Sequence, residues 1–299
     1  MRGKSLASNN PLISGRSLVY GLIGDPVDHS LSPAIQNAAF QSTSIDGVYV
    51  SWRVQRSGLR SAVQGLRVLG VRGFNVTTPH KTAVARHLDK LDPLASRIHS
   101  VNTVKNDHGR LIGFSTDGAG ALNSLEEVGA KPEGMAVLLI GAGGAGRAIA
   151  YELAERGCTF TLMNRTFSKA RHVANHIRKE FNVGVAIAPL SSRSLRSLLA
   201  EAQIVVNASS MGMNGQSNLP IKPTWLRPEQ YVFDLVYRPL KTQLLQYAGL
   251  AGARTITGLD MLVNQGACSF VLWTGRKPPM FEMRQAIARR LPAIGSAAG

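Results

Sequence analysis

The chain has 299 residues, 44% hydrophobic and 17% charged, with 30 glycines and 14 prolines; this describes an ordinary globular protein of one large or two medium domains and excludes disordered, collagen-like and coiled-coil chains. Lys plus Arg number 34 against 18 Asp plus Glu, a net +16, but the excess is spread as +7 over 1–117, +6 over 118–257 and +3 over 258–299, with few interleaved aromatics, so nucleic-acid binding is not the expected main function. No apolar run reaches the roughly 18 residues of a membrane span.

Residues 1–17 carry Arg2, Lys4 and Arg16 and no acid. The stretch is too short and aperiodic for a transit peptide, so a basic N-terminal arm is expected. Beyond it, strand and helix patterns alternate. Residues 17–24 read as a strand, and Pro33 opens a helix at a position that needs no N–H. Val48, Val50, Trp52 and Val54 alternate with polar neighbours, a strand with one buried face. Leu59, Val63 and Leu66 repeat at helical spacing. Residues 73–77 form a further strand, and Pro79 is expected to open another helix. Residues 101–106 and 111–115 flank Asp107-His108-Gly109-Arg110, a hairpin signal.

The second half alternates more regularly. Residues 135–140 form a continuous apolar run, as in a central parallel strand covered on both faces. A helix follows over 147–156, then a strand over 159–163 and a helix over about 168–180. Strands at 184–188, 203–208 and 231–235 complete the series, and 258–299 reads as helical. The pattern predicts an α/β protein with a doubly wound parallel sheet.

Gly141-Ala142-Gly143-Gly144-Ala145-Gly146 fits the dinucleotide fingerprint in its required context, after an apolar strand and opening a helix. Gly141 permits the tight turn, Gly143 lets backbone approach a pyrophosphate, and Gly146 lets helix and strand pack closely. The helix N-terminus supplies N–H donors and a positive dipole to the phosphates. An NAD site would place an acid about 20 residues on. Asn164-Arg165-Thr166 stands there instead, with Lys169 after it and no acid before Glu180. Arg165 can fork onto a 2′-phosphate and Lys169 can add a point charge, so the expected cofactor is NADP(H).

Polar clusters punctuate the first half: Ser30-Leu31-Ser32, residues 75–81 (NVTTPHK), Val101-Asn102-Thr103 and Ser115-Thr116-Asp117-Gly118. Singly they suit turns and caps; together they suit a small polyhydroxylated ligand. Followed in order by GAGGAG, NRT, NASSMGM (207–213), DLVYRPLKTQLL (234–245) and GLDMLVNQGA (258–267), the chain closely resembles the shikimate dehydrogenase family from about Tyr20 to Pro278.

The resemblance implies reversible NADPH-dependent reduction of 3-dehydroshikimate to shikimate, a step in aromatic amino-acid biosynthesis. It implies that Ser30 and Ser32 bind the substrate carboxylate with Tyr237 nearby. Thr77, Asn102 and Gln265 match ring-hydroxyl ligands, and Lys81 and Asp117 the catalytic pair. Met213 and Met261 match residues near the nicotinamide end of the cofactor site, and Gly258 is a further cofactor-binding position. The chemistry agrees: hydride delivery to a ketone develops an alkoxide, and Lys81 can supply its proton. A neighbouring carboxylate favours the charged form of a lysine and burial the neutral one, and both alternatives stay open.

Two departures bear on specificity: Ser100 and Ser115 stand where the family usually has Ala and Asn. Such changes keep a quinate/shikimate dehydrogenase as an alternative, and a non-catalytic NADP-sensing module is a second. The expected organisation is a substrate domain of 1–117, a Rossmann-like NADP domain of 118–257, and C-terminal helices over 258–299 returning to the first. The active site is expected in the cleft between the domains. His172 and His176 stand four apart on a helix but lack a third ligand, so no metal is expected. Cys158 and Cys268 are too few for a disulfide framework; they suit a reducing compartment, and a cytoplasmic protein is expected. For assembly, a homodimer and a monomer both stay open.

Overall fold

The structure is a computed structural model describing residues 13–214 and 216–290. Most of the expected basic arm and the last nine residues of the C-terminal segment lie outside the described residues. The strands are β1 (Leu18–Gly24), β2 (Gly47–Arg53), β3 (Gly73–Val76), β4 (Lys90–Leu91), β5 (Thr103–Asp107), β6 (Arg110–Phe114), β7 (Val137–Ile140), β8 (Phe160–Asn164), β9 (Val185–Pro189), β10 (Ile204–Asn207), β11 (Tyr231–Asp234) and β12 (Arg254–Thr257). The helices are α1 (Ser32–Ser42), α2 (Leu59–Val68), α3 (Pro93–Ile98), α4 (Asp117–Glu127), α5 (Gly144–Glu155), α6 (Phe167–Phe181), α7 (Ser192–Glu201), α8 (Gln243–Leu250), α9 (Gly258–Thr274) and α10 (Met280–Ala288). The chain divides into two compact units. Unit one holds Met1–Leu91, Val101–Gly113 and Ser269–Gly299; unit two holds Asp92–Ser100 and Phe114–Cys268.

Unit one contains a six-stranded sheet in the order β2-β1-β3-β5-β6-β4. β1 pairs in parallel with β2 and β3, and β3 pairs antiparallel with β5. The C-terminal ends of β1 and β3 and the start of β5 therefore share one edge of the sheet. Leu59, Val63 and Leu66 are the buried face of α2, as their spacing predicts. The expected hairpin forms, with β5 and β6 joined by His108 and Gly109. Both have positive φ, 51° and 90°, as a two-residue turn of matching twist requires.

One expectation fails here. Pro79 opens no α-helix: the His80 N–H donates to the Thr77 carbonyl at 2.9 Å, closing a turn, and only a short 3-10 helix follows at Ala83–His87. The local turn bond captures the proline before helical pairing can start.

Unit two is the doubly wound layer, in the order β12-β11-β10-β7-β8-β9, with every pair parallel. β7 is buried throughout, as its unbroken apolar run predicts. Its residues alternate between two cores: Val137 and Leu139 join the cluster with Ile149, Leu153 and Ile177, whereas Leu138 and Ile140 join the one with Leu195, Leu199 and Leu244. Helices on both faces are what make the central strands apolar at every position. Two helices that the sequence pattern left unread have clear caps. The Asp92 carboxylate accepts from the Leu94 and Ala95 N–H groups at the start of α3, and Thr242 Oγ1 accepts from the Leu245 N–H at α8.

Candidate active site

The dinucleotide half is built at the C-terminal edge of the unit-two sheet. Gly141 has φ +114°, and a Cβ there would lie 2.7 Å from the Ala208 backbone carbon; no other residue fits such a turn. A Cβ on Gly146 would collide with the Gly141 carbonyl, which is the close helix–strand approach the fingerprint predicts. At Gly143 and Gly144 a Cβ would meet nothing within 4 Å, so the start of α5 faces open space.

Asn164 ties this loop to the next strand end. Its Oδ1 accepts from the Ala142 N–H at 3.1 Å, and its Nδ2 donates to the Thr166 carbonyl at 2.9 Å. Arg165 is thereby held beside the glycine turn. A cavity of about 340 Å³ opens there, lined by Gly141, Ala142, Gly143, Asn164, Arg165, Thr166 and Lys169 together with Leu190 and residues 208–211. Arg165 and Lys169 are exposed cations, and no Asp or Glu lines the cavity. Backbone donors, open space and unopposed positive charge fit a dinucleotide carrying an extra phosphate. Ser209, Ser210, Met211 and Leu190 were not singled out from sequence, although the first three sit inside the quoted NASSMGM run.

β10 and β11 end in a buried polar knot beside that cavity's wall. Asn207 Nδ2 donates to Asp234 Oδ1 at 2.9 Å and to the Met211 carbonyl at 3.0 Å. Thr242 Oγ1 donates to Asp234 Oδ2 at 2.6 Å, and the Val236 N–H to Oδ1 at 3.0 Å. Burial pushes the Asp234 carboxyl up to about 6, against the opposing pull of these donors. The knot fixes the turns that carry Met213 and Tyr237. Met213 is 43% exposed. Tyr237 is half-buried, and burial raises its phenol above the usual value, opposed by Arg238.

Asp117 is the first residue of α4 and 4% exposed. A Cβ on Gly118 would lie 2.5 Å from the Ala148 carbonyl, and one on Gly120 would lie 2.6 Å from the Gln265 N. The two glycines seat α4 closely on α5 and α9. Thr116 Oγ1 donates to the Gln265 carbonyl at 3.1 Å, so Asp117 and Gln265 are neighbours within unit two. Gly258 starts α9 against the Leu235 carbonyl, and Met261 is buried one turn on. Ser115 Oγ, two residues before Asp117, is buried with no hydrogen-bond partner among the described residues.

The other residues converge on one edge of the unit-one sheet. The Thr77 N–H donates to the Ile23 carbonyl, the Val76 N–H to the Asn102 carbonyl, and the Val101 N–H to the Lys81 carbonyl, at 2.8–2.9 Å. Those bonds set Thr77, Lys81 and Asn102 side by side. The loop after β1 brings Ser30 and Ser32, where the Ser32 N–H donates to Ser30 Oγ at 3.2 Å. A buried relay supports them. The Ser32 hydroxyl hydrogen-bonds the Tyr49 phenol. Tyr49 donates to Asn75 Oδ1 at 2.7 Å, and the two N–H groups of Asn75 Nδ2 are shared among the Asn102 carbonyl, Thr103 Oγ1 and Ser269 Oγ, each at 3.0 Å. Sequence reasoning missed Tyr49 and Ser269 because their partners lie far off along the chain.

Three family models match the chain: the shikimate dehydrogenase substrate binding domain over residues 22–104, shikimate / quinate 5-dehydrogenase over 124–216, and the shikimate 5′-dehydrogenase C-terminal domain over 258–288. The NADP(+) shikimate dehydrogenase of Moorella thermoacetica is 44% identical over 94% of this chain and 97% of its own. A crystal structure of shikimate 5-dehydrogenase from Thermus thermophilus in complex with NADP(H) and shikimate is 39% identical, with a TM-score of 0.81 over 91% of this chain and 99% of that one. Quinate dehydrogenase from Corynebacterium glutamicum in complex with NAD is 31% identical, with a TM-score of 0.83 over 91% and 99%. The chain belongs to the shikimate dehydrogenase family.

Proposed function

We propose that the protein is an NADP-dependent shikimate dehydrogenase, catalysing the reversible reduction of 3-dehydroshikimate to shikimate. The observation that carries the cofactor choice is the 340 Å³ cavity at the glycine turn, which holds Arg165 and Lys169 and no carboxylate. A 2′-phosphate gains two cations there, and a carboxylate that would repel it is missing from the lining. The dinucleotide, when bound, delivers hydride to the substrate ketone or removes it from the alcohol.

The chain's own residues do the rest. Ser30 and Ser32 hold the substrate carboxylate, and Tyr237 adds its phenol. Thr77, Asn102 and Gln265 bind ring hydroxyls and orient the reacting carbon. The Lys81 ammonium gives its proton to the oxygen as negative charge develops there, and in oxidation Lys81 takes the alcohol proton back. Asp117 is the second member of the catalytic pair and acts on the reacting hydroxyl. Met213 and Met261 would border the nicotinamide end of the bound cofactor, and Gly258 would help to hold it.

The related quinate dehydrogenase keeps a second substrate in view, because a polar pocket rejects an added hydroxyl only where a wall fills the space. Initial rates with shikimate and quinate against NADP+ and NAD+ separate these readings. Shikimate with NADP+ is expected to give the highest kcat/KM; preference for quinate with NAD+ would overturn the assignment. The reading also proposes a cytoplasmic homodimer. No helix among the described residues is long and apolar enough to cross a membrane, and light scattering at micromolar concentration tests the dimer.

A further inference from the structure

Unit one carries a second cavity, of about 410 Å³, at the sheet edge opposite the candidate substrate residues. Its wall includes the start of β1 at Leu18, Arg72 just before β3, and Lys105 toward the end of β5. Ser30, Thr77 and Asn102 belong to the other end of the same strands. β1 is seven residues long, so the two edges stand about 20 Å apart.

Arg16, Arg72, Lys105 and Arg276 line this cavity. None of the four forms an ion pair among the described residues. Residues 1–12 and 291–299 contain no Asp or Glu. Arg72 is close enough for its charge to act on the Tyr20 phenol. Arg276 is anchored, its Nη1 donating to the Thr43 carbonyl at 2.7 Å. The floor is aromatic: Tyr20 and Trp273 lie 5.4 Å apart, and Trp273 Nε1 donates to the Val104 carbonyl at 3.0 Å. Two carboxylates, Asp46 and Asp107, share the lining, and Asp46 Oδ1 accepts from Ser17 Oγ at 2.5 Å.

Four permanent cations against two carboxylates leave the cavity near +2. Like charges gathered in a concave, partly apolar wall repel one another more than they would in open water. A dianion would cancel that charge, and guanidinium groups bind phosphoryl and carboxylate oxygens in fork geometry. We infer that this cavity is a second ligand site, taking a small dianionic molecule of the phosphoryl or dicarboxylate type, separate from the substrate and dinucleotide residues.

The test uses the full chain with Arg165→Ala and Lys169→Ala, which removes both cations that would draw anions to the glycine turn. Inorganic pyrophosphate and succinate are titrated separately by calorimetry, one arm for each anion type. Binding of at least one, weakened tenfold or more by adding either Arg72→Ala or Lys105→Gln, is the expected result. Arg72→Ala and Lys105→Gln alone should leave shikimate oxidation unchanged. Absence of binding in both arms, or binding that survives both Arg72→Ala and Lys105→Gln, would overturn the inference.

Discussion

In the proposed cofactor site Arg165 meets the 2′-phosphate together with Lys169, and Asn164 positions it by bonding the Ala142 N–H of the glycine turn and the Thr166 carbonyl. Losing a charge-assisted hydrogen bond costs about 1.5–3 kcal/mol, or about 10- to 100-fold in affinity. Arg165→Ala should raise KM for NADP+ by that factor and leave KM for NAD+ nearly unchanged, as steady-state kinetics with each cofactor would show; equal losses would mean that Arg165 does not bind the 2′-phosphate. Asp234 is the other informative residue. Its carboxyl titrates at about 6 in the folded chain against an ordinary 3.8, so between about pH 4 and pH 6 the native state binds more protons than the unfolded one. Stability attributable to Asp234 therefore falls as pH rises through that window, and the whole cost, on the order of 1–3 kcal/mol, is present above about pH 6. Asp234→Asn removes the charge and keeps polar partners for Asn207 and Thr242. Its denaturation midpoint, relative to the unmodified protein, should rise between pH 4.5 and pH 7; parallel profiles would contradict the burial argument.

At the scale of elements, two glycines set how closely α4 approaches its neighbours. Gly118→Ala would place a methyl 2.5 Å from the Ala148 carbonyl, where rigid helix backbone cannot yield, and overpacking of this kind costs about 1–3 kcal/mol. Gly249→Ala in α8 meets nothing within 4 Å and should be neutral or stabilising by up to about 1 kcal/mol. Melting temperatures of the two variants, compared side by side, check the difference; equal shifts would mean that α4 is not closely seated. The same contrast explains what sequence could and could not disclose. The glycine turn, β7 and the cation pair after β8 were legible because each depends on neighbours within about two dozen residues and on a fixed strand–turn–helix order. The Pro79 segment was misread because a proline at a first helical position and one in a turn look alike until the Thr77–His80 bond is seen. The relay from Ser32 through Tyr49 and Asn75 to Ser269 was invisible because its partners are 26 and 194 positions apart. Ser30, Ser32, Thr77 and Asn102 had only turn and cap chemistry to recommend them singly, and it took the resemblance to the family to assign them roles.

For the molecule as a whole, the diffuse +16 suits small anionic ligands, in keeping with a carboxylate substrate, a phosphate-rich cofactor and a further anion site. Lys81 belongs to unit one and Asp117 to unit two. Within unit two, Thr116 keeps Asp117 beside Gln265, and within unit one the Val101–Lys81 backbone bond keeps Lys81 beside Asn102. An interaction used mainly in the transition state lowers kcat and leaves ground-state binding almost untouched. The decisive measurement is therefore Lys81→Ala in two readouts, NADP+-linked turnover of shikimate and calorimetric affinity for shikimate. The account predicts turnover reduced by about 100-fold or more with affinity changed by less than about threefold. Turnover within a factor of two of the unmodified enzyme would contradict it, because the proton would then be moving through some other group.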